Sequence, residues 1–158
     1  MGFFGSDGVW LFPFSYLLHI LEEWLVGERF YFWVRRITGR TMSARTFFWL
    51  NGFFLLLMVV AVLLVRSRRA AWLVPALGFV VALNGFGHLL GALASRTYSP
   101  GLATGVLLWI PLGAWSILSS VIWLTPGGWL QGLGVGLLIS CVVFGLGFGL
   151  SRVAAAGE

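Results

Sequence analysis

The chain has 158 residues, 59% of them hydrophobic and only 9% charged, with a formal net charge of +5. Soluble domains carry about 25% charged residues, so this chain cannot cover itself with a hydrated surface, and its mean hydropathy of +0.97 makes the bilayer the expected solvent. All ten basic residues are arginine; they cluster between apolar runs, where they read as topology signals and headgroup contacts rather than as a nucleic-acid surface. The single cysteine, Cys141, excludes an intrachain disulfide.

Apolar runs of spanning length recur along the chain. They lack the alternation of barrel strands, so they are expected to be helices. The fold expected is all-α: one domain over residues 1–158, a polytopic bundle of about five transmembrane helices plus a short interfacial helix after the first. Met1 to Val9 reads as a loose leader, and no cleavable signal peptide is apparent. The first span is expected at about 10–26, with Pro13 suited to a first helical turn, and at the short limit for crossing. After Gly27 the arginines interleave with Phe30, Tyr31, Phe32 and Trp33, which predicts an interfacial helix over 28–37. Thr38 to Ser43 reads as a turn, and Glu28 beside Arg29 as a solvated pair.

The second span is expected at 46–65 and the third at 71–95. The fourth, 102–124, should kink at Pro111. Thr125-Pro126-Gly127-Gly128 reads as a tight turn before the fifth span, 129–150. There Gly132/Gly136 and Gly145/Gly149 have GxxxG spacing, which suits packing within the monomer or an oligomer seam. The tail from Ser151 should fray. Seven arginines fall on the side of the first loop and three on the other, which places the N-terminus outside and the C-terminus in the cytoplasm of a plasma (inner) membrane.

Polar residues inside these runs mark a candidate site. His19, Glu22 and Glu23 lie at i, i+3 and i+4 and share a helix face. His19, Asn51 and His88 sit five to seven residues from the same membrane face in three different spans, so at ~1.5 Å per residue they share one level roughly 8–11 Å deep. Charge there is costly unless something positive intervenes or a carboxyl takes up a proton. A metal ion held by His19, Glu23 and His88 supplies the positive charge. Asn84, one turn from His88, is placed to fix its tautomer, with Asn51 also behind the ligands. Glu22 is left as a general base on water, with Tyr98 as a second candidate catalytic group. The spacing is like that of an inverted H-x-x-E-H zinc helix with Glu for the second His. Each residue has a plainer reading too: His19 as a hydrogen-bonded core histidine, the two acids as hydrated near the headgroups, Asn51 as a helix–helix bond, Tyr98 as an interface anchor, and Trp24, Trp33 and Trp49 as an aromatic belt.

His19-Ile20-Leu21-Glu22-Glu23, then His88, then Tyr98-Ser99-Pro100-Gly101 together resemble the pattern of the HXXEE family of bacterial membrane proteins, whose function is unknown. The resemblance runs from about Trp10 into the fourth span. It implies that His19, Glu22, Glu23, His88 and Tyr98 belong to one constellation in a membrane, and it implies no reaction.

The leading expectation is a metal-dependent enzyme acting on a hydrophobic or lipid-borne substrate, with zinc before non-haem iron. The alternatives are a metal-free acid–base isomerase with Trp24 sheltering a cation, and a non-enzymatic subunit of a larger membrane complex that uses residues 129–150 as its seam. A haem between His19 and His88 is disfavoured, because the adjacent carboxyls suit hard cations.

Overall fold

The computed structural model describes residues 7–153. Met1–Ser6 of the expected leader and residues 154–158 of the expected tail lie outside the described residues. The fold is an all-α helical bundle. Its helices are α1 (Leu11–Leu25), α2 (Phe30–Thr38), α3 (Ala44–Arg66), α4 (Leu73–Ser95), α5 (Leu102–Ser120) and α6 (Pro126–Leu150). Four of these, α3 to α6, are long and apolar enough to cross a membrane. A fifth crossing is made only if the segment Gly8–Leu25 and α2, bent by 66° at their junction, form one broken span.

The helix ends follow local chemistry. Gly39 takes a left-handed φ of 67° and stops α2. The Ser43 side chain accepts from the Thr46 N–H and caps α3. The supposed turn at Thr125–Gly128 is instead the start of α6: Thr125 accepts from the Gly128 N–H, and Pro126 occupies the first helical position. Pro111 does not break its helix. A π-helical turn, Gly105–Trp109, precedes it and widens the backbone where the proline has no N–H to donate. The fourth span ends at Ser120, four residues short of expectation, because Val121 to Trp123 bond back over three residues, a tighter turn than the α-helix.

At both ends of the described chain the expectations need correction. Val9, placed in the leader, belongs to a 3-10 turn and is fully buried. The beginning of the tail is held rather than frayed. Arg40–Thr41 pairs antiparallel with Arg152–Val153, and the Arg40 guanidinium donates to the Ser151 hydroxyl and carbonyl at 2.8 Å each. Glu28 pairs with Arg36 at 2.8 Å, not with Arg29, whose guanidinium instead lies 4.3 Å from the Trp24 ring centre.

Burial on α1 is inverted relative to a water-soluble helix. Ser15, His19, Glu22 and Glu23 are buried, whereas Phe14, Leu17, Leu21 and Leu25 are exposed. Leu56, Leu57, Leu107, Leu118 and Leu137 likewise face outward on other helices. That pattern suits a hydrocarbon solvent.

The central helix is α4: half of its most apolar window is buried, against about a fifth in the other three spans. It packs along both α5 and α6. Contact with α5 is backbone to backbone, and a Cβ added at Gly113 would lie 2.4 Å from the Gly78 carbonyl oxygen. Contact with α6 uses Gly132 and Gly136, whose added Cβ atoms would lie 2.5 Å from the Trp72 carbonyl and 2.8 Å from the Phe79 Cβ. The first GxxxG pair therefore serves the monomer. An apolar core of Val9, Phe12, Met58, Val62, Val74 and Val81 fills the end of the bundle away from the α1–α2 bend.

Gly113→Leu is expected to lower the thermal midpoint of the detergent-solubilised protein, through overpacking of about 1–3 kcal/mol or more. Gly134→Ala, where an added Cβ meets nothing within 4 Å, should be neutral or slightly stabilising.

Candidate metal centre

The three expected ligands converge. His19 on α1 and His88 on α4 bring their Nε2 atoms to 3.2 Å. Glu23 Oε1 lies 3.7 Å from the first and 3.6 Å from the second. All three residues are at least nine-tenths buried. Two imidazole nitrogens facing each other beside a carboxylate oxygen, in a low dielectric, need a cation or a shared proton between them.

The far side of each imidazole is also held. His19 Nδ1 lies 2.7 Å from Thr104 Oγ1, and that hydroxyl has the Gly101 carbonyl, 3.4 Å away, as an acceptor for its own proton. Thr104 is thereby set to accept from an Nδ1–H of His19. His88 Nδ1 faces Ser99 Oγ at 3.2 Å. At His19 this puts the ring proton on Nδ1 and leaves the Nε2 lone pair facing inward, as metal ligation needs; at His88 the Ser99 hydroxyl can accept from an Nδ1–H in the same way. Asn84, expected behind His88, is not its partner. It lines the adjoining cavity and has no hydrogen bond among the described residues. Asn51 acts at one remove: it accepts from the Tyr16 hydroxyl at 2.9 Å, Tyr16 stacks on Trp109 at 5.6 Å, and Trp109 stacks on the His19 ring at 3.6 Å.

Glu22 and Tyr98, expected to do chemistry, bond to each other and do not line the cavity. Glu22 Oε1 accepts from the Tyr98 hydroxyl and from the Ala103 N–H at 2.9 Å, and Oε2 from the Thr104 N–H at 2.7 Å. The carboxylate thus caps the first turn of α5, where the unpaired N–H groups and the helix dipole favour an anion. This arrangement follows from helix geometry. A step of one residue turns the chain by about 100°, so Glu23 faces the imidazoles while Glu22 faces α5. Burial and the Glu22 carboxylate push the Tyr98 hydroxyl up to about 12, so it keeps its proton and donates.

The loop motif and the helix motif form one assembly. Gly101 sits at φ 91°, and a Cβ there would lie 2.6 Å from His19 Cε1 and 2.8 Å from His88 Cε1. The peptide therefore packs directly on both rings, and only glycine fits both the conformation and the space. Sequence reasoning missed Ser99, Gly101, Thr104 and Trp109. Ser99 and Gly101 were visible inside the Tyr98–Gly101 motif. Thr104 and Trp109 carried no signal of their own. Trp33, read as a belt residue, is buried and lines the cavity, whereas Trp49 is 71% exposed.

The centre lies in the wall of a cavity of about 420 Å³. Aromatic side chains, Phe30, Trp33, Phe47, Phe54 and Phe144, form much of its lining, and Arg40, Thr38 and Ser151 lie on it from the end of the bundle that carries the loop after α2.

Glu22→Gln places an NH₂ against N–H donors and should destabilise the fold by about 1–3 kcal/mol, whereas Tyr98→Phe removes one donor and should cost about 1 kcal/mol. Thermal unfolding in detergent, with the two variants side by side, checks the order; equal losses would contradict the capping role.

No curated protein and no solved structure matches the chain. Residues 10–116 match the family described as "Protein of unknown function with HXXEE motif". That match covers more than half of the chain, and it contains the whole of the His–Glu–His cluster and the loop packed on it. The chain belongs to the HXXEE family.

Proposed function

We propose that this protein is a metalloenzyme of the plasma (inner) membrane, with zinc held by His19, Glu23 and His88 near the cytoplasmic face and with a hydrophobic, lipid-borne substrate. The observation that carries the reading is the spacing of the three donors. Zinc bonds to imidazole and carboxylate are about 2.0–2.2 Å long, and at tetrahedral angles they set two donors about 3.3–3.6 Å apart. The separations here are 3.2, 3.6 and 3.7 Å. Three donors on one octahedral face at the same bond lengths would stand about 2.8–3.1 Å apart. Two histidines and one carboxylate also suit non-haem iron, the second choice, which elemental analysis separates from zinc.

Bound zinc with three protein ligands supplies Lewis acidity, with one position open for activating water or polarising a carbonyl. The chain's own residues prepare that centre. Thr104 and Ser99 fix the imidazole tautomers. Glu22 and Tyr98 hold α1 against α5 and so hold His19 and Glu23 in place. Trp109 covers one face of His19, and the aromatic wall excludes water and strengthens every charge interaction within. The orientation proposed, with the site toward the cytoplasm, rests on the seven arginines that lie on its side of the bundle. A metal-free isomerase with Trp24 as its cation shelter has less support: Trp24 does not line the cavity, and its ring is already covered by Arg29 and Phe48.

Purified native protein should carry about one zinc per chain, by elemental analysis, and His19→Ala and His88→Ala should carry none. Absence of stoichiometric metal from both native and zinc-supplemented protein would end the reading. Ser99→Ala and Thr104→Val should weaken zinc binding by about 10–100-fold in a chelator competition. Gly101→Ala should lose zinc, while Gly39→Ala, equally left-handed but with nothing within 4 Å of the added Cβ, should keep it.

A further inference from the structure

The cavity reaches beyond the three ligands and is partly open. On one side stand Leu50 and Phe54 of α3; on the other, Val143 and Phe144 of α6. α6 packs along α4, and α3 lies against α1 and α4, but α3 and α6 share no comparable seam. Phe144 lines the cavity and is nonetheless 50% exposed. The cavity therefore meets the outer surface between two helices whose other outward residues, Leu56 and Leu57 on one and Leu137 and Leu138 on the other, are apolar. An opening at that place leads into hydrocarbon rather than water.

Two polar groups of lining residues have no hydrogen-bond partner among the described residues. Asn84 is one turn from His88, and among the described residues its amide has no hydrogen-bond partner. Trp109 also lines the cavity, and its indole N–H is buried without a partner. The Trp109 N–H is closed off even from the cavity, whereas the Asn84 amide is only half-buried, one turn from His88, and is left open to a bound acceptor. A volume of about 420 Å³ suits a single ligand of small-molecule size, which excludes a two-chain phospholipid as the whole occupant.

We propose that the cavity takes a single-chain lipid sideways from the bilayer between α3 and α6, and that Asn84 binds the oxygen at its polar end beside His88. What happens to that oxygen rests on the zinc reading; the binding does not. An oxygen-bearing terminus is the head the open Asn84 amide recognises, and the aromatic wall holds the chain. Asn84 is then a substrate-binding residue rather than a support for His88.

The test uses the full chain in lipid nanodiscs with two probes, a long-chain fatty acid and the matching fatty alcohol, each bearing a diazirine near its methyl end. Photolabelled positions are mapped by mass spectrometry, and zinc is measured on the same samples. The expected result is saturable labelling around Phe54 and Phe144 by at least one probe, and the probe that saturates identifies the head as carboxyl or hydroxyl. Gly147→Leu should abolish it, since Gly147 lines the cavity and an added Cβ meets nothing within 4 Å. Asn84→Leu should weaken competition by the unlabelled compound by about 3–10-fold, and both variants should keep the zinc content of the parent chain. Saturable labelling of a zinc-free protein would support the lipid site and sink only the metal. Labelling that does not saturate with either probe, or that is unchanged in Gly147→Leu, would overturn the proposal.

Discussion

Glu22 ties the first helix to the fifth. Its two oxygens take the Tyr98 hydroxyl and two N–H groups from the opening turn of α5, so a carboxylate buried among helices is satisfied by donors that would otherwise be orphans. The same turn of α5 presents Thr104 to His19. The loop before it presents Ser99 to His88 and lays Gly101 across both rings. If that tie were cut, α1 could rotate or slide, and the three donors that now lie within 4.8 Å of one another would lose their common centre. The two motifs of the sequence are in this sense one mechanical unit: the helix motif supplies His19, Glu23 and an anchor, and the loop motif supplies what the anchor holds.

The neighbouring carboxylates Glu22 and Glu23 show how environment separates roles that composition cannot. Both are buried and adjacent, yet one is surrounded by N–H and O–H donors and the other faces two imidazole nitrogens across a gap of metal-site dimensions. An anion with three donors needs no further partner. An anion facing two imidazole nitrogens does need a proton or a cation, and this imbalance, rather than the mere presence of histidine and glutamate, makes the cluster a candidate centre. A single fixed positive charge there would satisfy all three groups together.

Much of this was legible before any coordinates. Length and hydropathy set the number of helices, and the rise per residue put His19, Asn51 and His88 at one depth, because an α-helix converts residue count into distance. The i, i+3, i+4 spacing put His19, Glu22 and Glu23 on one arc. That arc is too wide to say which carboxylate meets the imidazoles and which meets a neighbouring helix, so it could not show that Glu22, expected as a free base, accepts from Tyr98 and the opening turn of α5. Thr104 and Trp109 were invisible, since their roles depend on which helix packs against α1 and on the π-helical turn that rotates Trp109 onto His19. Pro111 announced a disturbance, but not that it would be absorbed as a widened turn. Asn84 was assigned to His88 by proximity along the helix, and Ser99, eleven residues further on, holds that nitrogen instead.

The account stands or falls on a cation at the meeting point of His19, Glu23 and His88. X-ray absorption at the zinc edge of the purified protein examines that point directly. The account predicts nitrogen and oxygen scatterers at about 2.0–2.2 Å, with the outer-shell signature of two imidazoles and no sulfur. An absent edge, or a sulfur shell at about 2.3 Å that would place any metal on Cys141 instead, would contradict it.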